Sequence, residues 1–150
     1  MQRSISHQRS LSPFFYTLIF IVYIGLSSIY LFLPPLLAVL YVLFSNALDE
    51  NDTLLISVLS FCLVVFEAEK SYLLFSSIIY FLILYKFIIP KLQQVTSCKS
   101  CIKFLTVVGV YLGYYMFSVL LSNVFLFPMP EINYYIIYYI LFEFLVVNIL

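Results

Sequence analysis

The stretch Phe61–Lys91, FCLVVFEAEKSYLLFSSIIYFLILYKFIIPK, constrains this chain more than any other. An apolar run leads into a knot of charge at Glu67, Glu69 and Lys70, and a second apolar run closes on Lys86 and Lys91. A helix at the surface of a soluble protein keeps a polar face for water, and neither run has one. Two membrane crossings joined by a short charged turn account for both runs. Composition agrees: 65% of the 150 residues are hydrophobic and 9% are charged, where a soluble domain carries about a quarter charged. The expected fold is all-α, a polytopic transmembrane helix bundle of about six spans. A formal net charge of zero provides no field to draw nucleic acid, so the bilayer, and no nucleic acid, is the expected surroundings.

Residues 1–12, MQRSISHQRSLS, read as a polar, basic cytoplasmic tail, with the bundle occupying 13–150. The apolar run after Pro13 is too long for a signal-peptide core, and no small-residue cleavage site follows it. It reads as an uncleaved first span over about Phe14–Leu33. Pro34 and Pro35 end that span. The next apolar piece, Leu36–Leu48, is short for a hydrocarbon layer of about 30 Å. Either its helix begins at the prolines and includes Ser45–Leu48, or it is re-entrant; proline suits a first helical turn. Asp49-Glu50-Asn51-Asp52 is a loop able to cap a helix over Thr53–Phe66. Further spans are expected at Tyr72–Ile89, stopped by Pro90, at Phe104–Phe127 and at Tyr134–Leu150. Lys91–Lys103 is the longest internal polar segment, and Pro128-Met129-Pro130-Glu131 turns the chain. Lysine and arginine favour cytoplasmic loops. That rule puts both termini, 49–52 and 91–103 inside, and the Pro34-Pro35 corner, 67–70 and 128–133 outside.

Glu143 is the most unusual residue, because an ionisable side chain near the middle of a span costs several kcal/mol or is neutralised. Tyr111, Tyr114, Tyr115 and Ser118 of the preceding span reach a similar depth, so a tyrosine hydroxyl can meet the carboxyl. The site is an ion or proton site, or an acid that holds two helices together. Glu67 and Lys70 are neighbours on a helical turn, which suggests a weak, solvated ion pair or a contact surface. Glu67 and Glu69 point to nearly opposite sides. Gly109 and Gly113 form a small-xxx-small pair that lets a helix approach closely, within the bundle or across a dimer. Cys62 reads as a small hydrophobe. Cys98 and Cys101 form a lone C-x-x-C; structural zinc takes four ligands and only His7 is otherwise at hand, so two reduced thiols are expected. No nucleotide-loop, metalloprotease or nucleophile-elbow motif is present. No cofactor, metal or catalytic residue is expected, and the chain reads as a non-enzyme.

The proline-led segment LPPLLAVLYVLF and the segment LVVFEAEKSYLLFSSIIYFLILYK (63–86) resemble the MreD family of bacterial rod-shape-determining membrane proteins. An acid at a helix end, a short polar turn and a span with small residues and tyrosine carry the resemblance. The acid maps onto Glu67, with Glu69 as a competing match. The family's aspartate is glutamate here, its glycines are missing between 26 and 108, and so is its charged C-terminal tail. The resemblance implies a multi-pass scaffold subunit of the cell-elongation, peptidoglycan-synthesis machinery in the bacterial inner membrane. Its partners would be an MreC-like single-span protein and other membrane proteins of the elongation complex. The family's fold is similar to the substrate-binding subunits of energy-coupling-factor transporters, so a small transporter or substrate-binding subunit is the alternative.

Overall fold

Asp49-Glu50-Asn51-Asp52 does two jobs in four residues. Asn51 takes the left-handed conformation (φ 54°) and its N–H reaches Leu48 O at 3.3 Å, while the Asp52 N–H reaches Ala47 O at 3.1 Å. These bonds satisfy carbonyls that a helix end leaves open. The Asp52 carboxylate then accepts the Leu55 N–H at 3.4 Å and starts the next helix, as an acidic N-cap does.

The computed structural model describes residues 5–30, 32–126, 128 and 133–149. Among these residues the regular structure is all helix, without strands. The six helices are α1 (Ile5–Ile29), α2 (Leu37–Glu50), α3 (Thr53–Lys70), α4 (Ser76–Val95), α5 (Lys99–Phe125) and α6 (Tyr135–Ile149). Two of them, α4 and α5, are long and apolar enough to cross a membrane. The proline corner is tied back onto α1: Tyr23 OH donates to Pro34 O at 2.8 Å and Ser27 Oγ to Leu33 O at 3.1 Å. The turn expected at 128–131 lies largely outside the described residues.

Several boundaries differ from the sequence reading. Helix α1 includes residues 5–12, where composition points to a tail. The charged knot at 67–70 is no turn; it is the last turn of α3, because Glu, Ala and Lys are good helix formers. Ser71, in the left-handed conformation, ends that helix. Pro90 does not stop α4. A π-helical segment at Leu84–Ile88 widens the helix just before it, and the Ile89 N–H bonds Leu84 O five residues back. The widened turn relieves the clash that a proline ring makes with the carbonyl four residues earlier. The polar loop 91–103 shrinks to Thr96–Cys98, with helix on both sides.

Helices α2 and α4 run parallel. Tyr41 and Phe44 of α2 meet Phe81 of α4 with ring centroids 5.2 and 6.0 Å apart, and Tyr85 OH donates to Asp49 Oδ1 further along both. Phe44, Leu63, Phe81, Leu84, Val107 and Val110 form the core. Helices α5 and α6 are antiparallel neighbours: Lys103 Nζ, near the start of α5, donates to Val147 O near the end of α6 at 3.2 Å. A cation at a helix C-terminus is favourable.

Candidate functional site

Helices α2 and α4 begin in the same unusual way. Each starts after a residue in the left-handed conformation, Leu36 (φ 55°) and Phe75 (φ 68°), and neither residue caps its helix with a side chain. The first amides of both helices therefore need partners from elsewhere, since buried N–H groups are costly to leave unpaired. Two glutamates supply them.

Glu143 of α6 is fully buried. Its Oε2 accepts the Ala38 N–H at 2.7 Å, and the amides of Leu36 and Val39 also face the carboxylate. The Tyr111 hydroxyl of α5 donates to its Oε1. Glu67 of α3 is equally buried. Its Oε2 accepts the Phe75 N–H at 2.6 Å, and its Oε1 accepts Ser76 Oγ at 2.9 Å and the Ser77 N–H. A carboxylate at a helix N-terminus joins charge-assisted hydrogen bonds to the favourable end of the helix dipole. Tyr114 of α5 extends this second cluster, with its hydroxyl 3.3 Å from Ser76 Oγ and accepting Ser77 Oγ at 3.1 Å. One turn of α5 thus serves both caps through Tyr111 and Tyr114.

Gly109 and Gly113 sit in a π-helical segment of α5, Gly109–Gly113, immediately before Tyr114. A Cβ on Gly113 would land on the Tyr80 hydroxyl, whereas one on Gly109 would meet nothing within 4 Å. The opening lets Tyr80 OH pass over Gly113 and donate to Gly109 O at 2.6 Å. Of the small-residue pair, one member makes room and the other offers its carbonyl, and both contacts lie between α4 and α5 inside the fold.

Of the residues singled out at 67–70, the structure separates Glu67 from the rest. Glu69 and Lys70 are exposed. Glu67 is no part of a solvated ion pair, because its carboxylate turns inward to α4. The Glu143–Tyr111 contact was readable from span depth. The capping of α2 and α4 across the chain was not, although two helix starts without Ser, Thr, Asn or Asp at the cap are a signal that partners lie elsewhere. Cys98 and Cys101 stand exposed at the start of α5 and are free. A hydrogen bond from the Cys101 thiol holds the Cys98 thiol below its usual range.

A cavity of about 220 Å³ opens beside the two caps. Its floor is formed by the buried Tyr111 and Tyr114, its wall includes Phe66 and Tyr72, and its exposed rim carries Lys70 and Asn133. Among the described residues no cluster of three or more His, Cys, Asp or Glu side chains is placed to hold a metal. The fold and site define an all-helical protein whose buried carboxylates are helix caps. No protein-family model, curated protein or solved structure matches the chain.

Proposed function

We propose that the protein is a multi-pass membrane bundle acting as an MreD-like scaffold subunit of the bacterial cell-elongation machinery. What carries the membrane part is an inverted distribution of polarity. Leu112, Met116, Leu120 and Val124 form an exposed apolar stripe along α5, and Ile137, Leu141, Leu145 and Ile149 form another along α6. Glu67, Glu143, Ser76 and Ser77 lie inside. Water rewards the opposite arrangement; hydrocarbon rewards this one. The shorter apolar stretches Thr17–Ile29 of α1 and Tyr135–Ile149 of α6 fit the same picture.

The scaffold part is supported by the segment 63–86, where the resemblance lies. It folds as one unit in which Glu67 locks the end of α3 to the start of α4. An acid used in this way holds a shape, which suits a docking subunit. Such a subunit sits in the inner membrane with an MreC-like single-span partner. A tagged chain is expected to co-purify with that partner, and depletion is expected to give rounded cells. Rods of normal width after complete removal overturn the scaffold reading.

The cavity favours a second reading, a subunit that captures a small molecule from the outer face. It is somewhat larger than the roughly 150 Å³ that holds a benzene molecule, and it combines aromatic walls with a few convergent polar groups.

A further inference from the structure

The two tyrosines on the cavity floor have their protons committed away from it. Tyr111 donates to Glu143, and a backbone amide, that of Leu37, also faces its oxygen. Ser76 gives its own proton to Glu67, so in its contact with Tyr114 the tyrosine is the donor. Tyr114 in turn accepts Ser77 Oγ. A hydroxyl has one proton and two lone pairs. Each tyrosine is therefore left with one acceptor position, and each is held there by a carboxylate network behind it. The floor accepts hydrogen bonds and does not donate them.

The walls suit a cation as well. Tyr72 packs edge-on against Tyr114 with centroids 5.8 Å apart, and Tyr111 and Tyr139 lie 6.5 Å apart. Aromatic faces around a desolvated ammonium stabilise it through their quadrupoles. The rim has the other sign: among the described residues that line the cavity, the charged one is Lys70, at the exposed end of α3. In a membrane-embedded bundle the end of α3 lies at headgroup depth, where the common anionic group is phosphate.

We propose that this cavity binds an aminoalkyl phosphate, with the ammonium on Tyr111 and Tyr114 and the phosphate at Lys70. The inference deepens the capture reading and rests on the membrane placement of α3; it does not depend on the scaffold reading. The same chemistry is found in free phosphoethanolamine and in the headgroup of phosphatidylethanolamine, and the test separates the two.

The full chain, purified in detergent, is titrated calorimetrically with O-phosphoethanolamine, ethanolamine and glycerol phosphate. Phosphoethanolamine is expected to bind at least about ten-fold more tightly than ethanolamine or glycerol phosphate, each of which carries one of its two charged groups, a difference of about 1.4 kcal/mol. Lys70→Gln, at an exposed site where folding is not at risk, is expected to weaken phosphoethanolamine about ten-fold and leave ethanolamine unchanged. Glu143→Gln lets the Tyr111 proton turn into the cavity and is expected to weaken both. Native mass spectrometry from phosphatidylethanolamine-containing nanodiscs supplies the lipid arm. A retained lipid that free phosphoethanolamine fails to displace identifies the bilayer as the source; binding of the free compound without lipid retention identifies a soluble one. Binding without cellular uptake keeps the ligand and removes the transport reading instead. No binding in either arm, or a Lys70→Gln protein that binds phosphoethanolamine as wild type does, overturns the proposal.

Discussion

At the scale of single residues the two buried glutamates look alike but respond differently to the loss of one oxygen. Glu67 accepts backbone N–H groups on both oxygens, from Phe75 and Ser77. In Glu67→Gln, whichever way the amide turns, its NH₂ faces a backbone donor. Glu143 accepts the Ala38 N–H on one oxygen and the Tyr111 hydroxyl on the other, and a hydroxyl can reverse its role. Glu67→Gln is therefore expected to cost about 3 kcal/mol, the upper range for a buried unsatisfied donor, and Glu143→Gln about 1 kcal/mol. Thermal unfolding of both variants in detergent measures the order, and equal losses would contradict it. The glycines divide in the same manner. Gly113→Ala drives a methyl into Tyr80 and breaks its bond to Gly109 O, at about 2 kcal/mol for overpacking. Gly109→Ala meets open space and is expected to be neutral or slightly stabilising, since alanine is the better helix former by up to about 1 kcal/mol. If Gly109→Ala proves the worse of the two, the assignment of the close approach to Gly113 is wrong.

Single elements in this protein are not self-sufficient. Helices α2 and α4 borrow their N-terminal partners from α6 and α3, so the stability of each start is tied to another helix. Hydrogen exchange reads this directly, because local opening frees the amides that exchange. Glu143→Ala is expected to speed exchange at Ala38 and Val39 while leaving Ser77 protected, and Glu67→Ala is expected to do the reverse. Exchange that rises equally at both starts would show one shared cap network where two are described. The same borrowing explains which elements were legible in the residue order. Asp52 marks the start of α3, because a capping signal acts within a turn of where it stands, whereas Pro34-Pro35 stays outside α2, which begins at Leu37 after the left-handed Leu36. Pro90 misleads, since its effect depends on the π-helical segment at Leu84–Ile88, and nothing in LYKFI announces a widened turn. The polar residues of 91–95 and 99–103 suggested a loop by composition, yet they continue the helices on either side. Glu143 drew attention by rarity alone. That Ala38 would be its partner depends on how α2 lies against α6, which is a property of packing and not of spacing.

For the whole molecule, the decisive question is what surrounds the apolar stripes of α5 and α6. Helix α4 has 20 residues, about 30 Å at 1.5 Å per residue, which matches the hydrocarbon thickness of a bilayer. If it crosses, the Ser71–Phe75 turn and the Thr96–Cys98 turn lie on opposite faces. Lys91, Lys99 and Lys103 flank the second turn, and Lys70 alone flanks the first, so the basic bias sets 96–98 in the cytoplasm. Reporter fusions after Ser71 and after Ser97 are expected to show an outer and a cytoplasmic signal respectively, and the chain is expected to stay in the membrane pellet after alkaline carbonate. Release by carbonate would mean that the exposed stripes are covered by protein instead of lipid. Two reporters on one side would mean that α4 turns back within the bilayer, and the start of α2, level with Tyr111 and Glu143, would then share the same face as the end of α4. Either result removes the membrane placement of Lys70 on which a phosphate at the cavity rim depends, while leaving the two carboxylate caps as they are.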